Sequence, residues 1–269
     1  LSGLVGSEMC IRDSHKTLSP QREHGDLSEH YLGVLLSSLF AFGVLCFLKI
    51  SPIFYIENKY IFFTALLHGH LDFINWLFFL NALQQTHLLS LQNFLSYRIA
   101  SKHGHLEVLK LLESKSPNLM KEIMPTKGPT YFLDAAQNGH SPILDYYLQY
   151  APSLRFKLIS HQKFSPFTQA ALNGHLDTLK YLIDQAPEYA ANMILGNHYC
   201  SFRNACRQPQ LEVVQFIFEQ YPAYQIEMIE VNHFEAIQSA LSLGFIHTVD
   251  YLQTFHTSNL FQKVMNENI

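Results

Sequence analysis

The residues that decide the fold are 169–187, Gln169-Ala-Ala-Leu-Asn-Gly174-His-Leu-Asp-Thr-Leu-Lys-Tyr-Leu-Ile-Asp-Gln-Ala-Pro187. From Gly174, steps of 35 residues land on Gly139, Gly104 and Gly69 upstream and on Pro209 and Gly244 downstream. Four residues before each mark stands an alanine: Ala65, Ala100, Ala135, Ala170, Ala205 and Ala240. A fixed period of roughly 20 to 50 residues is the mark of a stacked-repeat solenoid, in which each unit buries its apolar side against its neighbours.

Within a copy, the residues two, five and eight beyond the mark are mostly large and apolar, as in Leu106, Leu109 and Leu112 or Leu176, Leu179 and Leu182. That spacing is one face of an amphipathic helix of about ten residues. The segment before the mark, such as 167–173, reads as a second short helix whose Ala170 and Ala171 let the next copy approach closely. Gly174 supplies the turn between them, where φ > 0 costs glycine nothing. Each long helix ends before Pro117, Pro152, Pro187 or Pro222, with Ala82 and Thr257 in that place at the two ends of the array. Apolar pairs follow at Ile123 and Met124, Leu158 and Ile159, Met193 and Ile194, and Met228 and Ile229. Proline favours the first turn of a new helix, so each connector is expected to hold a third helical turn pinned by its pair.

Composition narrows the function classes. Charged residues make up 15% of the 269 and the net charge is −4, with Lys and Arg scattered, so no phosphate-binding face is legible. Four cysteines in a chain this long do not form a disulfide framework, and a reducing compartment is the easier reading. Cys200 and Cys206 beside His198 are too few and too widely spaced for a zinc site. No Gly-rich phosphate loop, nucleophile elbow or His-Glu-x-x-His occurs, so no catalytic residue, metal ligand or cofactor is assigned.

The chain begins at Leu1, and residues 2–14 resemble the translation of a sequencing adapter, so residues 1–30 are expected to be an artefactual or disordered leader. Residues 31–48 are uncharged, and residues 31–56 read either as a degenerate first repeat or as a membrane segment. Leu36, Leu39 and Phe42 lie one period before Leu71, Ile74 and Leu77, which suits the repeat. Residues 57–269 form the repeat domain, ending part-way through what would be a further connector, with Val264 and Met265 one residue late.

Ala135-Ala136-Gln137-Asn138-Gly139-His140, Ala170-Ala171-Leu172-Asn173-Gly174-His175 and residues 104–113 resemble the core of ankyrin repeats. The resemblance implies an all-α, ankyrin-like solenoid of six helix-turn-helix copies with helical connectors, plus a degenerate N-terminal repeat. Two departures stand out. The opening Thr-Pro-Leu-His survives only loosely as Ser165-Pro166-Phe167-Thr168, and the residues of the β-hairpin finger are missing. By the same resemblance, His70, His105, His140 and His175 bond backbone and join copies rather than catalyse. Regularly spaced Phe62, Phe132, Phe167 and Phe202, and Tyr146, Tyr181, Phe216 and Tyr251, read as core.

Positions that vary between copies are the informative ones. Leu67 and His68, Lys102 and His103, Gln137 and Asn138, Leu172 and Asn173, Arg207 and Gln208, and Ser242 and Leu243 immediately precede the marks. In ankyrin proteins the corresponding positions line the concave face that meets a partner. The function expected is non-catalytic binding of a protein partner, as an adaptor, an inhibitor or a targeting domain, with no nucleic acid or small-molecule substrate. The alternatives are a membrane-anchored protein, held through residues 31–48, and the repeat fragment of a larger enzyme or secreted effector. The expected compartment is the cytoplasm, of the producing cell or of a host cell.

Overall fold

A computed structural model describes residues 53–80 and 85–256, so the expectations for residues 1–30, 31–48 and 257–269 lie outside the described residues. By contacts the chain divides into residues 1–56 and 57–269, and the account below concerns the second unit and the helix that leads into it. Among the described residues, thirteen α-helices run α1 (Ile53–His68), α2 (Leu71–Leu80), α3 (Gln85–Lys102), α4 (Leu106–Lys115), α5 (Pro117–Gln137), α6 (Ser141–Tyr150), α7 (Arg155–Ile159), α8 (His161–Leu172), α9 (Leu176–Gln185), α10 (Ala190–Ala205), α11 (Leu211–Glu219), α12 (Gln225–Ser242) and α13 (Ile246–Gln253). No strand occurs among the described residues. The molecule is therefore an all-α repeat stack, and helical connectors stand where hairpin fingers would be.

Each mark ends a first helix and starts a second. Gly69, Gly104, Gly139, Gly174 and Gly244 all sit at φ between 68° and 80°. The residue after each glycine donates its N–H back to the recurring alanine, as in His140 N to Ala135 O at 3.0 Å and His175 N to Ala170 O at 2.9 Å. This is the Schellman closure of a helix C-terminus. At the fifth mark Pro209 cannot take positive φ, and the turn closes instead with Gln208 N on Ala205 O at 3.0 Å.

The first helices α3, α5, α8, α10 and α12 pack side by side in one layer, and the second helices α2, α4, α6, α9, α11 and α13 in another. The recurring alanines are buried, as are Phe62, Phe132, Phe167 and Phe202. The four connector pairs, from Ile123 and Met124 to Met228 and Ile229, are buried too, so the connectors are pinned as expected. The tyrosines pack against the core as expected and do more besides. Tyr146, Tyr181 and Tyr251 are half-exposed, and their hydroxyls donate to Glu113, Asp145 and Glu219 of the preceding copy at 2.7, 3.0 and 2.9 Å. Regular spacing here marks rings packed against the core and, through their hydroxyls, a ladder of tyrosine–carboxylate bonds between second helices. The hydroxyl gives the ring a reason to reach the surface.

One recurrent feature lies inside the first-helix segments. Residues 162–164, 197–199 and 232–234 each form a left-handed turn, with φ from 48° to 64° in α8, α10 and α12. These triplets are Gln-Lys-Phe, Asn-His-Tyr and Asn-His-Phe, and Phe94, two periods before Phe164, has φ 63°. Asparagine and histidine tolerate this conformation better than most side chains, but it costs about 1–2 kcal/mol per residue. At the corresponding place α5 carries Gly128-Pro129 and runs on as right-handed helix, because proline cannot hold positive φ. Lys163 is exposed at φ 60°. Lys163→Gly is therefore expected to stabilise the fold by about 1 kcal/mol, the relief of strain less the unfolded-state entropy of glycine. An unchanged or lowered denaturation midpoint would contradict that.

Candidate protein-binding face

The joint between copies positions the face. His105, His140 and His175 each place Nε2 on a main-chain carbonyl of the preceding copy, two residues before its mark, at Leu67 (2.9 Å), Lys102 (3.0 Å) and Gln137 (3.1 Å). A carbonyl only accepts, so each Nε2 carries the proton, and the other ring edge lies against the glycine of the preceding copy. A methyl group on Gly104 would stand 2.7 Å from His140 Cε1, and one on Gly139 would stand 2.7 Å from His175 Nδ1. Glycine is needed at the marks for two reasons, the turn and the seat of the next imidazole. Gln210 takes the histidine's place over Gly174, with Oε1 at 2.6 Å from such a methyl. The carbonyl that His70 would reach by the same spacing is at residue 32, outside the described residues.

These joints tie together the C-terminal ends of the first helices, where the variable pairs sit. Leu67, His68, Lys102, His103, Gln137, Arg207, Ser242 and Leu243 are exposed, whereas Asn138, Leu172, Asn173 and Gln208 are half-buried. Four of these side chains hydrogen-bond within the stack, Arg207 with Glu235 and Ser242 with Ser239 O at 2.9 Å among them. Asn173 Nδ2 donates to Gln137 O at 2.7 Å, and Asn138 Nδ2 donates to Asp134 O at 2.7 Å. Asn173 thus helps to join copies, which its variation in sequence did not suggest.

One helical turn earlier, on the same face of each first helix, come Arg98, Leu133, Thr168, Arg203 and Gln238. The reading of the varied pairs missed this row. A signal was present, because Arg98 and Arg203 are three periods apart. Arg98 Nε donates to Asp134 Oδ2 of the next first helix at 2.6 Å, with Asp134 largely buried. Arg203 Nη1 and Arg207 Nη2 converge on Glu235 Oε2 and Oε1 at 2.5 and 2.8 Å. Asn232 Nδ2, bonded at 2.8 Å, and the two guanidinium groups hold the Glu235 carboxyl below its ordinary range.

Towards the N-terminal side, the His103 and His105 rings stack at 6.2 Å and those of His68 and His70 lie 5.8 Å apart. Loss of hydration, then Lys102, His105 and His68, push the His103 imidazole below its usual range. It is therefore a neutral hydrogen-bonding group at neutral pH. None of the twelve varied positions is acidic, although the chain as a whole carries a charge of −4.

Among the described residues no group of three or more His, Cys, Asp or Glu side chains is placed to hold a metal ion. Cys206, the residue that follows α10, is buried, and desolvation drives its thiol far above the usual range, so it is an inert core side chain. No helix among the described residues is long and apolar enough to cross a membrane.

Residues 97–194 match the family model described as ankyrin repeats (3 copies). No curated protein and no solved structure matches the chain.

Proposed function

From the match of residues 97–194 to ankyrin repeats, we propose that this chain is a non-catalytic binding module whose first-helix face captures a protein partner. Ankyrin repeats are in general protein–protein interaction modules. The observation that carries the reading is the way the varied side chains are mounted. The buried parts of each copy, the alanine and the connector pair among them, recur, while side chains such as Lys102, Gln137 and Arg207 differ along one row and remain exposed. A rigid scaffold that repeats its packing and varies one exposed row is built to be read by a partner. An adaptor, an inhibitor and a targeting domain all use this arrangement. The twelve varied positions are the proposed contact set, extended by Arg98, Leu133, Thr168, Arg203 and Gln238. Residues 57–269 are proposed as the repeat domain, acting in a cytoplasm.

The test compares two pairs of charge changes. Lys102→Glu with Arg207→Glu alters the face, whereas Lys110→Glu with Lys180→Glu alters exposed positions on the second helices α4 and α9. The first pair is expected to change the set of proteins that co-purify with the chain while leaving the melting curve within about 1 kcal/mol of wild type. The second pair is expected to change neither. Equal effects from the two pairs would remove the face.

A further inference from the structure

The face is not uniform in charge. Arg98 and Lys102 form a column on α3, and Arg203 and Arg207 form the matching column on α10. Between them, Leu133 and Gln137 on α5 and Thr168 and Leu172 on α8 carry no charge. Beyond them, Gln238 and Ser242 on α12 carry none either. Each basic column is met by one carboxylate from the next copy, Asp134 at 2.6 Å from Arg98 and Glu235 at 2.8 Å from Arg207. Two cations against one carboxylate leave one positive charge at each pole. A staple between copies would need only one cation per carboxylate, and the surplus runs against the sign of the whole chain.

The poles stand three repeats apart. At an interaxial distance of about 8–10 Å per packed helix, that is roughly 24–30 Å. An extended chain covers about 3.3 Å per residue, so about eight or nine residues bridge the poles. The centre presents Leu133 and Leu172, each half-buried, beside the amide of Gln137 and the hydroxyl of Thr168. A nucleic acid strand would ask for an unbroken basic track matched to its regularly spaced phosphates. A neutral, leucine-bearing centre between two basic ends suits a peptide instead. We infer that the first-helix face takes an extended acidic peptide segment whose Asp or Glu side chains meet Arg98–Lys102 at one end and Arg203–Arg207 at the other, with apolar residues between. This rests on the protein-binding reading of the same face.

The experiment pans a library of random peptides of about twelve residues against the immobilised full chain, beside bare resin and the variants Lys102→Gln, Arg207→Gln and the double change. The enriched peptides are expected to carry two acidic clusters about eight positions apart with apolar residues between them. Lys102→Gln is expected to erase the preference at one end of the peptide and Arg207→Gln that at the other, a polarity that loss of a purely structural contact would not produce. A synthesised peptide from the wild-type selection should bind the double variant about tenfold more weakly, with thermal melts of all variants alongside. Enriched peptides without paired acidic clusters would overturn the inference and leave the binding face standing. The same selection from the double variant, or displacement of the peptide by oligo-thymidylate at lower concentration than by itself, would also overturn it. No retention above bare resin would overturn both readings.

Discussion

Gly139→Val is expected to cost about 3–5 kcal/mol of stability, because one glycine meets two requirements. Its φ of 77° lies where any side chain costs about 1–2 kcal/mol and a β-branched one more. Its missing Cβ leaves the space in which the His175 ring sits, 2.7 Å from where a methyl would stand. A side chain there displaces the imidazole and breaks the bond from His175 Nε2 to Gln137 O, worth about 0.5–1.5 kcal/mol. Denaturant midpoints of Gly139→Ala, His175→Ala and the double variant separate the two parts. Once the ring is gone the steric part vanishes, so the double change should cost less than the sum of the singles by about 1–2 kcal/mol. Gly244 is the internal control: it has φ 76° but no neighbour within 4 Å of an added methyl. Gly244→Ala should therefore show the backbone cost alone. Equal losses at Gly139 and Gly244 would refute the seat.

The period, the glycine turns, the small buried alanines and the pinned connectors were legible because each is required once per copy, and repetition multiplies the signal. The joint from Gly-His to the preceding copy was legible only through resemblance, since nothing in one copy reveals what an imidazole reaches in another. The left-handed turns were not read at all. Positive φ is ordinarily sought at single glycines or asparagines, and a run of three non-glycine residues contradicts local propensity. The clue was the triplet of Gln or Asn, one further residue and an aromatic at 162–164, 197–199 and 232–234, visible only when the copies are laid in frame. Tertiary packing stabilises these turns: Phe234 is buried with its ring edge-on to His256 at 5.6 Å, and Phe164 packs 6.0 Å from Tyr189.

On the face, variation identified the row but not its use. Asn173 varies and yet bonds the neighbouring copy, whereas Arg98 and Arg203 lie one turn outside the varied pairs. Periodicity separates the packed set from the free set. It does not distinguish a side chain that stitches copies from one that awaits a partner, because both can vary.

Phe202→Ala is expected to remove about 3–5 kcal/mol and to divide a single unfolding transition in two. The ring is fully buried in α10 and stacks on Phe218 of α11 with centroids 5.4 Å apart. In a stack whose copies touch only their neighbours, stability is a sum of copies and joints. A cavity at one copy therefore weakens its coupling to both sides instead of lowering every copy equally. The chain supplies its own reporter, because its one tryptophan is Trp76 on α2, stacked on Phe73 at 5.5 Å. In the wild type, helix content by circular dichroism and Trp76 fluorescence should change together. In Phe202→Ala the C-terminal copies should melt first, so circular dichroism falls while Trp76 still reports a folded environment. Coincident transitions in the variant would mean that cooperativity spans the whole stack, and that the joints are stronger relative to each copy than three imidazole bonds and a tyrosine ladder can explain.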